Sequence, residues 1–256
     1  MRKIAGILLS AVLVLTLAAC NSGDFQDEYE TYEAYIESEE PMVSNAYDEL
    51  DYVLTDDSPT IFVPSEALAV ERSVFSGLAS SEREGEITHV VLHFISNVIA
   101  NRTDPYNIED IHRIFLDYGV SAHYIIDRDG TIHLAVPEYR AAFHAGAGYL
   151  ESFPEYENNL NQHSIGIELL AIGSQADMAL YLTADEYHAF DPALIGFTDA
   201  QYYALNRLLN DILARHPRIQ PNRTHIIGHN EYTPSKNDPG ELFEWERLNF
   251  MNQPQI

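Results

Sequence analysis

The sequence predicts an α/β fold, a single domain in which a central mixed β-sheet is flanked by helices. Three observations carry that reading. The runs EITHVVLHFIS (86–96) and SIGIELLAIG (164–173) are apolar and β-branched over most of their length, as strands covered on both faces are. The segments NIEDIHRIFLDYG (107–119) and TDAQYYALNRLLNDILARH (198–216) repeat apolar residues at helical spacing. Between the two apolar runs, VSAHYIID and TIHLAVP flank the turn RDG (128–130), which predicts a β-hairpin. Strands and helices mixed in this order suggest one layered domain, and no internal repeat is visible.

The chain opens with MRKIAGILLSAVLVLTLAAC: two cations (Arg2, Lys3), an apolar run from Ile4 to Leu17, and small residues before Cys20. That is the pattern of an export leader, and the run is short for a membrane span. The ending LAAC resembles the lipobox of bacterial lipoproteins, in which a cysteine like Cys20 is lipidated and cleavage falls just before it. Residues 1–19 are therefore expected to be a removed leader. Cys20 is the chain's one cysteine, so no intramolecular disulfide can form. The expected location is extracytoplasmic, with the protein anchored to a bacterial membrane through lipid on Cys20.

From Asp24 to Asp57 there are 13 acidic residues and no Lys or Arg. Residues 20–58 read as a solvated, self-repelling tether without a fixed fold. Its tyrosines (Tyr29, Tyr32, Tyr35, Tyr47, Tyr52) leave a weak helix or a docking role open. The whole-chain charge of −26 excludes a nucleic-acid binder, because such a surface repels phosphates.

The folded part is expected from Pro59, with a helical lead-in around Ala67 to Phe75. In the first amphipathic helix Asn107 is placed to cap. Ile108, Ile111, Phe115 and Tyr118 share a face, and Gly119 stops the helix. Residues 174–197 read as a loop-rich insertion. The second helix opens with a capping-box spacing, Thr198 to Gln201, and lines up Leu205, Leu208, Leu209 and Ile212. THIIGHNEY is a short strand running into the loop GHNEYTPSKNDPG (228–240), whose density of turn residues marks irregular backbone, where functional groups tend to sit.

Of the 11 histidines, His112, His163, His188, His216 and His225 read as surface or hydrogen-bonded residues, and His89 and His133 as structural or exposed ones. His93 differs, because an unpaired imidazole inside an apolar strand is costly. His229 and Asp238, on the late loop, are candidate partners. Two imidazoles and a carboxylate make a three-ligand set that leaves zinc an open fourth position. Spacing alone leaves open that these are three unrelated polar residues. Glu168 stands in an otherwise apolar strand, where burial raises a carboxylate toward the range of a general base. Lys236, two residues before Asp238, would project to the same side on extended backbone and could stabilise an oxyanion.

Together VVLHFIS, VSAHYIIDRDGTIHLAVPEYRAAFHAG, HSIGIELL and GHNEYTPSKNDPG, in this order from about Thr88 to Trp245, resemble the zinc-dependent N-acetylmuramoyl-L-alanine amidases of the amidase type 2 family. That group is related to peptidoglycan-recognition proteins and the phage T7 lysozyme. The resemblance implies that His93, His229 and Asp238 hold Zn2+, that Glu168 is the base and that Lys236 is the active-site lysine. It also implies that His144 and His123 contact substrate. Asp238 stands where some relatives carry cysteine. The tyrosine that serves the phage enzyme is replaced by Ala122, which leaves its role to Glu168. Residues 59–256 would be the amidase domain, with peptidoglycan or muropeptides as partner. A peptidoglycan-binding module without catalysis and a zinc peptidase acting on the stem peptide are the rival readings.

Overall fold

A computed structural model describes residues 68–71 and 78–252 of the chain. The leader, Cys20, the tether and the expected domain start at Pro59 lie outside the described residues, as does most of the expected lead-in helix. The described part of that lead-in is not helical: residues 68–71 are irregular, and Glu71 bridges to His133.

The strands are β1 (Ser80–Glu82), β2 (His89–Ile95), β3 (Tyr124–Ile126), β4 (Ile132–Leu134), β5 (Arg140–Ala142), β6 (Ser164–Leu170) and β7 (Ile226–Gly228). The helices are α1 (Ile108–Tyr118), α2 (Ala184–His188), α3 (Asp199–Arg215) and the single turn α4 (His229–Tyr232). Five strands form the central sheet in the order β4-β3-β6-β2-β7. The pairs β3–β6, β6–β2 and β2–β7 are parallel, and β4 is antiparallel on the β3 edge. The sheet is thus mixed, and the RDG hairpin supplies its antiparallel member.

Side-chain alternation divides the two long strands between two faces. Val90, Leu92, Ile165, Ile167 and Leu169 pack with Leu205, Leu208, Leu209 and Ile212 of α3. The opposite face of β2 and β6 carries His89, Val91, His93, Ser164, Gly166 and Glu168, so polar groups are concentrated on the side away from α3. α3 starts with the expected box: Gln201 N–H donates to Thr198 Oγ1 at 3.1 Å, and Thr198 N–H to Gln201 Oε1 at 3.0 Å. The Gln201 amide also donates to Ile126 O and Leu170 O, which ties the helix start to β3 and β6.

α1 is capped as expected. Asn107 Oδ1 accepts from the N–H groups of Glu109 and Asp110, and Gly119 closes the helix at φ 60°, a left-handed conformation that suits glycine. Ile111 and Phe115 are buried, but Tyr118 is 42 % exposed, contrary to its expected place on the core face. It sits in the last turn, beyond the packed layer.

Two features were not legible beforehand. β1 and β5 form a separate antiparallel pair, held by Arg140 Nε to Ser80 Oγ at 2.7 Å. Both are too short to show a period. The insertion also has structure of its own: α2, boxed by Thr183 and Glu186, and one turn at Pro192–Leu194. Arg128, in the hairpin turn, anchors it through Ala193 O and Gly196 O. Among the described residues no helix is long and apolar enough to cross a membrane.

Candidate metal centre and active site

Parallel strands place their carboxyl ends together, and in open α/β sheets that edge is where ligands bind. β2 delivers His93 there, β6 delivers Glu168, and β7 ends at Gly228, so His229 opens α4 directly beyond the sheet. The loop after α4 brings back Asp238. His93 Nδ1 lies 3.1 Å from His229 Nδ1 and 2.7 Å from Asp238 Oδ2, and His229 Nδ1 lies 3.0 Å from the same oxygen. Among the described residues these three form the group able to hold a metal ion. A tetrahedral zinc site with bonds of ~2.0–2.1 Å needs ligand atoms roughly 3.3 Å apart. The observed triangle is close to that.

The outer hydrogen bonds fix which nitrogen faces inward. His229 Nε2–H donates to Ala145 O at 3.0 Å. His93 Nε2 lies 3.1 Å from His144 Nδ1, His144 Nε2 lies 3.1 Å from Ser164 Oγ, and that hydroxyl donates to Leu160 O at 2.7 Å. With the terminal carbonyl able only to accept, the chain runs one way: His93 Nε2–H to His144, His144 Nε2–H to Ser164, Ser164 O–H to Leu160. Both Nδ1 lone pairs therefore converge on a carboxylate oxygen.

The electrostatics agree. Burial, reinforced by the neighbouring His229, lowers His93 to about 4 despite the nearby Asp238 charge, so His93 is neutral at pH 7. Burial alone would raise Asp238, but its contacts with the His229 and His93 rings hold it well below the usual carboxylate range. Three unprotonated donors facing one another call for a cation. The residues present fit a zinc ion in number, type and spacing.

Glu168 is buried beside this cluster. Its Oε2 has no hydrogen-bond partner among the described residues. Burial and the nearby Asp238 charge push its carboxyl well above the ordinary range, and Lys236 pulls it partly back. The Lys236 charge also acts on His93. The Lys236 backbone N–H closes a turn on Thr233 O at 2.9 Å.

Two expected substrate contacts lie buried in the fold. His123 is fully buried, with Nε2 against Arg83 and Arg140 O and Nδ1 accepting from Gly166 N–H. His144 lies beneath the ligands with both ring nitrogens engaged, covering Gly166. A Cβ at Gly166 would come within 2.4 Å of the His144 ring, so the bare backbone there makes the imidazole's place. Ser164, which ends the relay, was not anticipated; a hydroxyl at the head of an apolar strand was its one signal. Ala122 is buried in the core and can contribute no chemistry.

Comparison with known proteins agrees with this geometry. The profile of the Amidase_2 family, N-acetylmuramoyl-L-alanine amidase, matches residues 83–241. The 1,6-anhydro-N-acetylmuramyl-L-alanine amidase AmpD of Haemophilus influenzae is 30% identical over 178 residues, covering 63% of this chain and 80% of the relative. The protein of the same name from Salmonella typhimurium is 34% identical over 159 residues, covering 60% of this chain and 68% of its own length. A crystal structure of a selenomethionine derivative of AmpD superposes with a TM-score of 0.51 at 26% identity, over 73% of this chain and 97% of that one.

Fold and relatives together define an enzyme that hydrolyses amide bonds. The chain belongs to the N-acetylmuramoyl-L-alanine amidase family, Amidase_2.

Proposed function

We propose that the protein is a zinc-dependent amidase that cuts the bond between N-acetylmuramic acid and L-alanine in peptidoglycan or its fragments. The observation that carries this is the convergence of His93, His229 and Asp238 beside a buried, unpartnered carboxylate. The relatives' names specify the 1,6-anhydro form of the sugar, which makes anhydro-muropeptides natural first substrates to test.

His93, His229 and Asp238 would hold the zinc, which when bound would supply Lewis acidity toward a carbonyl and a water. Glu168, whose carboxyl burial raises well above its ordinary range, accepts the proton of the attacking water at its unpartnered Oε2 and passes it to the departing L-alanine nitrogen. The Lys236 ammonium offsets the negative charge that develops on the substrate oxygen. His144 and Ser164 hold the His93 ring with Nδ1 inward throughout.

The enzyme is further proposed to work outside the cytoplasm, anchored by lipid on Cys20. Residues 20–58 would act as a spacer whose acidic side chains keep the domain off anionic lipid and wall polymer.

Digestion of defined muropeptides with and without a chelator, products weighed by mass spectrometry, tests the reading. Zinc-dependent release of an intact stem peptide beginning with L-alanine is expected. Cleavage inside the stem would make the enzyme a peptidase. Binding without any cleavage in the zinc-loaded protein would make it a recognition module.

A further inference from the structure

The insertion at 174–197 lies outside the motifs that carry the family resemblance, yet one of its side chains is built into the loop of the metal centre. Asp177 is 5 % exposed. Its Oδ2 accepts the backbone N–H of Ser174 at 2.8 Å and that of Glu241 at 3.2 Å. Its main-chain carbonyl accepts the side-chain amide of Asn237 at 2.8 Å. Ser174 Oγ donates to Glu241 Oε2 at 3.1 Å, a second link between the same two segments. Asn237 and Glu241 bracket Asp238, so the insertion grips the loop on both sides of the carboxylate.

The packing around Asp177 is close. A Cβ at Gly240, where φ is +81°, would lie 2.6 Å from Asp177 Oδ2 and 3.2 Å from the Phe94 ring. One at Gly173 would lie 2.7 Å from Asp177 Cβ and 2.8 Å from the same ring. Asp177 is thus wedged between two residues without side chains and next to Phe94, the neighbour of His93 in β2.

The physical need is clear from the loop itself. Asp238 belongs to no strand or helix, and ordering free backbone costs about 1–2 kcal/mol per residue. A loop already held in its ligating position spares metal binding that cost. We propose that Asp177 is a positioning residue, which presets the 237–241 segment so that Asp238 meets His93 and His229. This rests on the reading of those three residues as zinc ligands.

The test is zinc titration of the full chain, stripped of metal, against a chromophoric chelator, together with amide hydrogen exchange and melting in the absence of metal. Asp177→Ala is expected to weaken zinc binding 10- to 100-fold. The Glu241 amide should exchange faster while that of Leu92 in β2 is unchanged, and the metal-free melting temperature should move by only a few degrees. Asp177→Asn, which keeps an acceptor oxygen, should recover most of the affinity. Wild-type zinc affinity in Asp177→Ala, or faster exchange spread equally over the core strands, overturns the proposal. If Asp177→Ala does not fold, Asn237→Ala removes one bond at an exposed side chain and decides: weakened zinc supports the proposal, wild-type affinity overturns it. A wild-type chain that takes up no zinc overturns the zinc reading instead, and the metal-free exchange measurement then still reports whether Asp177 holds the loop.

Discussion

His93 and Glu168 are direct partners across the parallel ladder of β2 and β6, so their side chains leave the same face of the sheet on adjacent strands. Strands in a sheet lie about 4.8 Å apart, which sets the carboxylate beside the ligand without any loop. A slip of one residue in this register would send Glu168 to the α3 face and leave an ionisable group among leucines. The hydrophobic pattern that specifies the sheet therefore also specifies the pairing of ligand and base.

Glu168→Gln should lower kcat on order of a hundredfold or more, since the proton acceptor is lost. The same change should stabilise the metal-free protein at neutral and higher pH. The folded carboxyl titrates above its unfolded value, so wild-type stability is full below the unfolded pKa, near 4.5, and falls as pH rises through the folded one. Thermal melting of metal-free wild type and variant across pH 4–9 should show curves that converge in acid and separate in base. A variant less stable than wild type at pH 8 would contradict the burial argument.

Lys236→Ala should cost on the order of a hundredfold in kcat, by removing charge opposite the developing oxyanion. Its ammonium also lowers the pKa of Glu168. Removing it should therefore move the acid limb of the kcat/KM profile to higher pH. A loss of rate with an unshifted limb would place Lys236 too far from Glu168 for the proposed arrangement.

His144→Phe removes the acceptor that holds His93 Nε2–H and should weaken zinc affinity 10- to 100-fold. Ser164→Ala, one bond further out, should weaken it less. Isothermal titration with zinc orders the three proteins. Equal affinities would show that the ring of His93 is held by packing alone.

Acid should act at the other end of the sheet. Glu138, fully buried, accepts from Tyr124 Oη at 2.6 Å, from both terminal nitrogens of Arg215 and from His216. Burial alone would raise it, but the His216 and Arg215 bonds bring it down to about 2 from 4.5. A depressed folded pKa means that this contribution is whole above about pH 4.5 and disappears as pH falls toward 2. It is worth on the order of 3 kcal/mol. Glu138→Gln should flatten that stretch of the stability–pH curve while destabilising the protein at pH 7, the cost of leaving the half-buried Arg215 with Asp211 as its carboxylate partner. Denaturant titrations at pH 2.5, 4.5 and 7 measure both effects.

Cys20→Ser should move the protein from the membrane fraction to the soluble one without changing its rate on soluble muropeptides. Retention in the membrane fraction would remove the lipid anchor from the proposal.

Much of the architecture could be read from residue order. Continuous apolar runs dictated β2 and β6, because only strands covered on both faces can lose their polar alternation. Asn107, Gly119, Thr198 and Gln201 marked helix ends through local capping chemistry, and RDG dictated the hairpin. Family motifs named His93, Glu168, His229, Lys236 and Asp238 as a set. What residue order alone did not reveal depends on contacts between distant segments. Three-residue strands such as β1 and β5 carry no period. His144 and His123 occur beside a family motif, but only packing decides that Gly166 lets one ring slip beneath a ligand and that Arg83 covers the other. Asp177 is one acid among many until folding lays it against Asn237 and Glu241. Local sequence fixes backbone preferences over a few residues, whereas the face of a side chain and its hydrogen-bond partners are set by neighbours tens of residues away, which only the tertiary structure brings together.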